Sequence, residues 1–384
     1  MTGLPIVYYH AVSSRSPAAS HAPPVCAPHE RHKKVPILMH LMHLHRSSFT
    51  ATAPRLQRSL LASSLSLLAL SIPVVAEALQ VTGLQTPQSF VADPSGEQYF
   101  ISNVNGDPGV KDNNGFITKL DRAGKVVKLQ FIRGGDGETV LHAPQGMAIV
   151  NQILYVADLD ALRGFDKTTG RPVVTVSFAH YPNTPGARRA PAGESTALAD
   201  VAHDGHGLLY ASDPHADTIY RIDTTREHAV SVLVRDAVLA GPRGLALHPK
   251  TGRLIVVSWN KGKILEVSGD GIITELASNS FFSSRFHNLD GVDFDRWGNM
   301  YVSDFTAGKV WRMRPDHKFD VVAEFLQSPA DIGVDRKNHL ILVPYHYGNA
   351  AEMNGLESPI KSDTKKRTFA DYGFTFPKGD QERK

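Results

Sequence analysis

Cysteine is nearly absent, since Cys26 is the single cysteine among 384 residues. It precedes the start that we expect for the mature protein, which would then have neither a disulfide nor a thiol nucleophile. The sequence also contains no GxSxG elbow, no P-loop and no dinucleotide-binding fingerprint. Stability must therefore come from apolar burial, and any chemistry must come from residues that are distant in sequence.

An excess of charge is also absent, because the formal net charge is only +3. Residues 1–78 hold seven of the 41 Lys and Arg residues but two of the 38 Asp and Glu residues. The rest of the chain is close to neutral and contains no basic stripe that would favour nucleic acid as a partner.

Long apolar runs occur at one place only, in residues 55–78 (RLQRSLLASSLSLLALSIPVVAEA). Arg55 and Arg58, the apolar stretch and the final Ala-Glu-Ala are typical of a secretory signal peptide with cleavage before Leu79. A membrane anchor is the alternative, but serines and Pro73 interrupt the stretch and make it short for a span. We therefore expect a periplasmic or secreted protein with no stable membrane span after cleavage.

Residues 1–54 are rich in Pro, Ser and His and have no hydrophobic periodicity. They are interpreted as a disordered leader or as sequence upstream of the true start, for which Met39 and Met42 are candidates. The charged segment 361–384 is interpreted as a C-terminal tail.

The chain between these ends is built from six repeats with almost no helical periodicity. The repeats open with similar segments: Pro87-Gln88-Ser89, Pro144-Gln145-Gly146, Ala199-Asp200-Val201, Pro242-Arg243-Gly244, Leu289-Asp290-Gly291 and Ala330-Asp331-Ile332. Their second strands end 41 to 55 residues apart. Repeats of this length with short β-rich runs predict an all-β, six-bladed β-propeller over residues 79–360. The last repeat shows two clear strands, so the segment from Leu79 is expected to complete it.

Polar residues occupy two equivalent positions in each repeat, and antiparallel pairing places both at one end of the ring. The inner positions, at the starts of first strands, are Gln88, Gln145, Asp200, Arg243, Asp290 and Asp331. The outer positions, at the ends of second strands, are Asn103, Asp158, Asp213, Asn260, Asp304 and Tyr345. Asp and Asn at strand ends commonly cap turns. The inner residues are expected to form either a ligand site or a buried salt-bridge network.

Three insertions, 105–115, 179–196 and 278–288, fall at the same end of the ring. Those loops would overhang the channel. The third insertion contains a polar and aromatic group: Phe281, Phe282, Arg285, Phe286, His287 and Asn288. These side chains either form a pocket or pack the loop onto its neighbours, and the two alternatives are weighted equally. The pair His203-x-x-His206 is interpreted as part of a turn rather than as a metal site.

Five stretches carry a resemblance to a known family: SFVADPSGEQYFISNVNGDP, HAPQGMAIVNQILYVADLDALRGFD, GPRGLALHPKTGRLIVVSW, NLDGVDFDRWGNMYVSD and SPADIGVDRKNHLILVPY. They resemble the senescence marker protein and gluconolactonase superfamily of six-bladed propellers and, more loosely, the NHL-repeat propellers. The resemblance implies one divalent cation, often calcium, held by a Glu, Asn residues and an Asp at the channel mouth. Asp290 matches the Asp, whereas Gln88 stands at the Glu position and Arg243 at an Asn position.

The resemblance and its two departures are compatible with three functions. One is a divalent-metal-dependent hydrolase of a lactone or ester, with Asp290 and Gln88 as ligands and Asp200 or Asp331 as a further ligand or base. Another is a non-catalytic propeller that binds a small molecule or a protein, in which Arg243 replaces the cation and pairs with Asp290 or with an anionic ligand. A structural propeller of the cell envelope is a third. The candidate ligand contacts are Gln88, Asn103, Gln145, Arg243, Asn260, His287 and Asn288.

Overall fold

The computed structural model describes residues 79–178, 197–280 and 284–356. The leader 1–54, the signal peptide 55–78, the insertion 179–196, Phe281, Phe282 and the tail 361–384 lie outside the described residues, so the expectations for them stay predictions.

The described chain forms six four-stranded antiparallel sheets, which confirms the all-β, six-bladed propeller. Blade 1 contains β2 Pro87–Ala92, β3 Gln98–Asn103, β4 Phe116–Asp121 and β5 Val126–Arg133. Blade 2 contains β6 Met147–Val150, β7 Ile153–Ala157, β8 Ala161–Asp166 and β9 Pro172–Ser177. Blade 3 contains β10 Asp200–His203, β11 Leu208–Asp213, β12 Thr218–Asp223 and β13 Ala229–Arg235. Blade 4 contains β14 Pro242–Leu247, β15 Leu254–Ser258, β16 Ile264–Val267 and β17 Ile273–Ala277. Blade 5 contains β18 Leu289–Phe294, β19 Met300–Asp304, β20 Lys309–Met313 and β21 Phe319–Glu324. Blade 6 contains β22 Gly333–Asp335, β23 Leu340–Tyr345, β24 Ala350–Gly355 and, as its fourth strand, β1 Leu79–Val81.

The first strand of each blade lies next to the first strands of both neighbouring blades, so these six strands surround the central channel. The second strands are apolar and almost fully buried, as in β15 and β19. The fourth strands are largely exposed, as in β5 and β9. The hydrophobic core lies between the faces of adjacent blades; for example, Tyr155 and Leu162 of blade 2 pack with Leu209 and Tyr220 of blade 3.

Two inner glycines allow the first strands to approach closely. A Cβ atom on Gly244 would lie 2.4 Å from the carbonyl oxygen of Asp290, and one on Gly291 would lie 2.3 Å from the backbone nitrogen of Ile332. Both contacts are with backbone, which cannot move aside cheaply. The glycine after Arg243 and the glycine after Asp290 are therefore packing requirements of the ring.

The ring is closed by β1, as the sequence predicts. In this strand, Leu79, Gln80 and Val81 pair with Met353, Glu352 and Ala351 of β24. Strand β24 was not recognised in the sequence, because AAEMNG is polar. Its residues nevertheless alternate between the core and the surface, as a strand requires, and Ala351 and Met353 lie inside the core.

The described ranges contain one short helix, a 3-10 turn at Ala237–Leu239 that is capped by Asp236. None of their helices has the length and hydropathy needed to cross a membrane.

Candidate functional site

A cavity of about 430 Å³, here called the mouth cavity, opens at the end of the channel where the first strands begin. The residues around it are Gln88, Pro108, Gly109, Gln145, Leu159, Ala197, Leu198, Ala199, Pro214, His215, Arg243, Trp259, Asp290, Phe305, His346 and Tyr347. Four of the six inner positions therefore meet at the mouth, as expected. Insertion 105–115 contributes Pro108 and Gly109 to the rim.

An ion pair between Arg243 and Asp290 lines the mouth cavity. The Arg243 Nε atom is 2.7 Å from Asp290 Oδ1, although its N–H is not aligned for a hydrogen bond. The second carboxylate oxygen, Oδ2, accepts a hydrogen bond of 3.1 Å from Gln88 Nε2. Arg243 Nη2 also lies 3.5 Å from Gln145 Oε1. The Asp290 side chain is only 3 % exposed and the Arg243 side chain 20 %, so the guanidinium is the more accessible partner.

Three aromatic side chains, Trp259, Phe305 and Tyr347, form an aromatic wall beside the ion pair. The Arg243 guanidinium carbon lies 4.6 Å from the centre of the Trp259 ring, a distance at which cation–π attraction is favourable. Trp259 is 5.2 Å from Phe305, and Phe305 is 5.6 Å from Tyr347, measured between ring centres. The wall therefore supports Arg243 on one side and extends from it along the cavity.

His346 completes this side of the cavity and is buried, with 7 % of its surface exposed. Its ring lies against Phe305 and Tyr347. Burial lowers the pKa of His346, against the opposing effect of the nearby Asp290 carboxylate. The imidazole is therefore neutral at pH 7.

The other two inner residues, Asp200 and Asp331, lie at a second cavity of about 320 Å³ toward the ends of the first strands, here called the lower cavity. Both acids lie within electrostatic range of Asp290, so they are close to the mouth although they do not line its cavity. Asp200 faces the neighbouring strand instead, where its Oδ2 accepts the Leu245 N–H and its Oδ1 the Val201 N–H, both at 2.7 Å. Of the three inner carboxylates, Asp290 is therefore the one that lines the mouth cavity.

Burial and charge repulsion strongly favour the protonated forms of Asp200 and Asp331. Burial, reinforced by the Asp331 charge, raises the pKa of Asp200 well above its usual range. Burial, reinforced by Asp290 and Asp293, raises the pKa of Asp331 to about 8. Two carboxyl groups that line the same cavity and both resist ionisation are expected to make the fold sensitive to alkaline pH.

We predict that the folded protein loses stability as the pH rises from about 7 to about 8. Below this range the lowered pKa values of His203, His228 and His346 change stability in the opposite direction. In this window folded Asp331 keeps a proton that the unfolded chain has released, because its pKa is raised from 3.8 to about 8. Each such acid contributes a slope of at most about 1.4 kcal/mol per pH unit. Asp331→Asn should reduce the slope and raise the melting temperature at pH 8.

Thermal melts between pH 7 and pH 8 test this expectation. The exposed substitution Glu138→Gln serves as the control and should leave the wild-type slope unchanged. Equal slopes for wild type and Asp331→Asn would contradict the assignment of a buried, protonated Asp331.

Three of the outer positions, Asp158, Asp213 and Asp304, bind backbone N–H groups of loops, as expected for Asp at strand ends. Asp158 accepts the backbone N–H groups of His142, Ala143 and Leu159. Similarly, Asp213 and Asp304 accept backbone N–H groups of the loops that follow them.

The remaining candidate ligand contacts do not line the mouth cavity. Asn103 is fully buried and accepts the Gln85 N–H, while Asn260 is exposed on the surface. His287 is half-exposed near Asp304. Asn288 donates to the Trp259 carbonyl at 2.9 Å, so it positions the wall rather than a ligand.

In insertion 278–288, Phe286 packs into the core between Trp311 and Phe319 instead of shaping a pocket. Arg285 lies over the rings of Phe286 and Phe319. The packing alternative therefore holds for this part of the loop.

The donor set at Asp290 does not fit the divalent cation that the family resemblance implies. Calcium takes six to eight oxygen ligands at about 2.3–2.6 Å. At Asp290, one carboxylate oxygen faces the positive Arg243 and the other accepts from the Gln88 amide N–H. Arg243 thus occupies the position that the cation would require.

A second group with metal-like spacing is His142, Asp158 and Asp160, whose ligand atoms lie within 4.8 Å of one another. Two cations already neutralise it. Arg163 pairs with Asp158 at 2.7 Å and with Asp160 at 2.6 Å, and Lys111 lies 3.2 Å from Asp160. The cluster therefore acts as an ion-pair network that holds insertion 105–115 against blade 2.

The aromatic wall was missed in the sequence analysis. A positional signal exists, because Trp259, Phe305 and Tyr347 each lie just after the last residues of a second strand: β15, β19 and β23. Those are the loop positions that face the mouth cavity.

Of the solved structures compared, the two with TM-scores above 0.5 support the fold. A Bacteroides thetaiotaomicron protein of unknown function has a TM-score of 0.53 and 13 % identity over 70 % of this chain and 69 % of its own. A candidate gluconolactonase has a TM-score of 0.51 and 18 % identity over 74 % of this chain and 95 % of its own. Virginiamycin B lyase from Staphylococcus aureus has a TM-score of 0.49 and 11 % identity over 72 % and 98 %.

No protein-family model matches the chain, and no curated protein does. The gluconolactonase-like resemblance is confirmed for the six-bladed architecture.

Proposed function

We propose that the mouth cavity binds a small molecule with a carboxylate or similar anionic group, and that Arg243 is the residue that recognises this group. A guanidinium has five N–H donors. In Arg243, Nε faces Asp290 and Nη2 makes a long contact with Gln145. Within the described part of the chain, the other donors are left for a ligand, and the planar fork suits a carboxylate.

The ion pair and the aromatic wall preorganise Arg243 for this role. Asp290 fixes one edge of the guanidinium, and Trp259 supports its face. A side chain that is already held in one conformation loses less entropy when a ligand binds. The single observation that carries the proposal is this partly exposed, oriented arginine at the position where the resembled family places a neutral oxygen ligand.

The rest of the mouth cavity favours an apolar group on the same ligand. Beside the aromatic wall, Leu159, Leu198 and Pro214 face the cavity. Pockets with an apolar surface and a few polar anchors are typical of small-molecule sites. The proposed ligand class is therefore a small amphiphilic anion.

Metal-dependent hydrolysis of a lactone or ester is the competing function, and Asp290 together with the gluconolactonase-like fold favours it. It requires a divalent cation at Asp290 and Gln88, where Arg243 now lies. Because a shared fold does not by itself imply shared chemistry, we prefer the binding function.

Calorimetric titration with phenylacetate and its neutral analogue phenylacetamide tests the binding proposal. Wild type is expected to bind phenylacetate at least about tenfold more tightly, which corresponds to about 1.4 kcal/mol. The double variant Arg243→Gln/Asp290→Asn removes both charges without leaving a buried carboxylate unpaired. It should lose the preference for the anion.

The matched control is Arg253→Gln, which removes an exposed arginine of blade 4 from its 2.7 Å ion pair with Glu266. This variant should keep the wild-type preference. Equal binding of the two compounds by wild type, or an unchanged preference in the double variant, would refute the proposal.

We also propose that the protein is exported and that cleavage occurs before Leu79. The support is the signal-like segment 55–78, and cleavage at this point would keep all of β1, which begins at Leu79. N-terminal sequencing of protein from the periplasm or medium should begin at or near Leu79. Recovery of an intact 60–78 segment in a membrane fraction would contradict export by cleavage.

A further inference from the structure

The lower cavity runs from Asp200 and Asp331 to the end of the ring opposite the mouth. Its outer end is bounded by Pro94, Pro249 and Arg336, which follow the ends of first strands and are exposed. Asp200 and Asp331 are only 5 % and 7 % exposed. The cavity is therefore open to solvent at one end and carries two buried acids at the other.

Aliphatic residues line the lower cavity between these two ends. Among them, Val91, Ala92 and Leu247 keep part of their surface exposed. The volume of about 320 Å³ lies just above the lower limit of about 300 Å³ for small-molecule pockets. The cavity can therefore hold a small organic molecule and offer it an apolar surface.

The charges that line the lower cavity are unbalanced. They comprise three carboxyl groups, those of Asp200, Asp293 and Asp331, but one arginine, Arg336. Arg336 pairs with Asp293, so Asp200 and Asp331 have no ion-pair partner among the described residues. A buried carboxylate is stable only when a cation or hydrogen-bond donors compensate its charge.

Asp331 is the less satisfied of these two acids. Asp200 accepts two backbone N–H groups at 2.7 Å, whereas the Asp331 side chain accepts no hydrogen bond within the described part of the chain. Ser89 lies beside Asp331, but its Oγ has no hydrogen-bond partner. Unlike that fully buried Oγ, the Asp331 carboxyl oxygens keep accessible surface. A buried acid that lines a cavity and lacks a donor is suited to a ligand that brings one.

The two acids also face each other. Asp200 begins β10 of blade 3 and Asp331 precedes β22 of blade 6, and these blades are opposite in a ring of six. The charge of Asp331 helps to raise the pKa of Asp200, so the two carboxyl groups interact across the channel. A cation between them would contact both.

The spacing of these acids favours an organic cation over a metal ion. Within the described ranges, His142, Asp158 and Asp160 form the one group that brings three ligand atoms within 4.8 Å of one another. The three acids of the lower cavity do not converge in this way, and calcium needs six to eight oxygens. A primary ammonium needs only three acceptors, and its alkyl chain can use the apolar lining.

We propose that the lower cavity is a second binding site, which takes a primary alkylammonium ion whose NH₃⁺ group donates to Asp331 and Asp200. The alkyl chain packs on the aliphatic lining toward the outer end. Asp293 and Arg336 neutralise each other there, so the far end of the ligand is uncharged. On binding, the ammonium takes the place of the proton that Asp331 otherwise keeps, and this proton passes to the solvent. The site is independent of the anion site at the mouth.

Calorimetric titration of wild type at pH 8 with butylammonium and with its neutral analogue 1-butanol tests the proposal. At this pH the amine is charged, since alkylamines of the lysine type titrate near about 10, and the pKa of Asp331 is about 8. We expect butylammonium to bind at least about tenfold more tightly than 1-butanol, because charge-assisted hydrogen bonds are roughly twice as strong as neutral ones. Equal binding of the two compounds, or no binding of butylammonium, would overturn the proposal.

Asp331→Asn removes the charge at nearly constant size and should lose the preference for butylammonium. Glu138→Gln makes the same acid-to-amide change at an exposed position and should keep it. An unchanged preference in Asp331→Asn, or an equal loss in Glu138→Gln, would show that the cation binds elsewhere. If Asp331→Asn does not fold, a crystal structure of wild type with butylammonium decides the question, and an amine located away from Asp331 would refute the site.

Discussion

A chain that begins at residue 87 instead of 79 is expected to melt at least about 10 °C lower. Removing residues 79–86 deletes β1 and exposes the backbone edge of β24. It also removes Val81 and Leu84, which are 3 % and 0 % exposed. Burial of two such side chains contributes about 3–6 kcal/mol. That is a large part of the roughly 5–15 kcal/mol that stabilises a typical domain.

Thermal unfolding of the two chains, monitored by circular dichroism, measures the effect. Gln80→Ala in the longer chain is the matched control, because this side chain is exposed while its backbone pairs with Glu352. It should melt within about 1–2 °C of wild type, as surface substitutions usually do. If the chain that begins at residue 87 melts at the same temperature as the longer chain, β1 does not stabilise the ring.

Replacing Arg243 with Asn is expected to raise calcium affinity by at least about tenfold over a weakly binding wild type. A guanidinium about 4 Å from a carboxylate, at an effective dielectric near 20, contributes on the order of 4 kcal/mol before desolvation. The substitution removes this competing cation and adds an amide oxygen beside Asp290 and Gln88. Calcium prefers such carboxylate and amide oxygens.

Calorimetry with calcium on wild type, Arg243→Asn and Arg243→Lys distinguishes charge from shape. Arg243→Lys keeps the positive charge and should bind calcium as poorly as wild type. Tight calcium binding by wild type, or equal affinity of Arg243→Asn and wild type, would contradict the substitution argument and favour the metal-dependent hydrolase.

The blades, the closing strand and the ion pair could be predicted from the sequence because each depends on repetition. A regular spacing of strand starts fixes which residues surround the channel, and it places Arg243 and Asp290 on neighbouring strands. Pairing of these two was one of the alternatives that the sequence left open. Their 2.7 Å approach is the geometry that this alternative requires.

The sequence did not predict that Asp200 and Asp331 line the lower cavity and not the mouth cavity. All six inner residues share one strand position, so the spacing predicts one location for them. Asp200 departs because its carboxylate accepts the Leu245 N–H of the next blade, a contact that depends on three-dimensional packing between strands. Similarly, strand β24 has too little apolar character to be recognised until its partner β1 is known.

The pairing of β1 with β24 also constrains how the ring folds. Leu79 pairs with Met353, so this contact joins the first and last described strands of the propeller. Contacts between residues so far apart in sequence form late, because loop-closure entropy must be overcome first. Blades 1 to 5 each consist of consecutive strands and can assemble locally as the chain is synthesised, whereas blade 6 waits for both ends. Until β24 has been synthesised, the ring stays open and β1 has no partner strand.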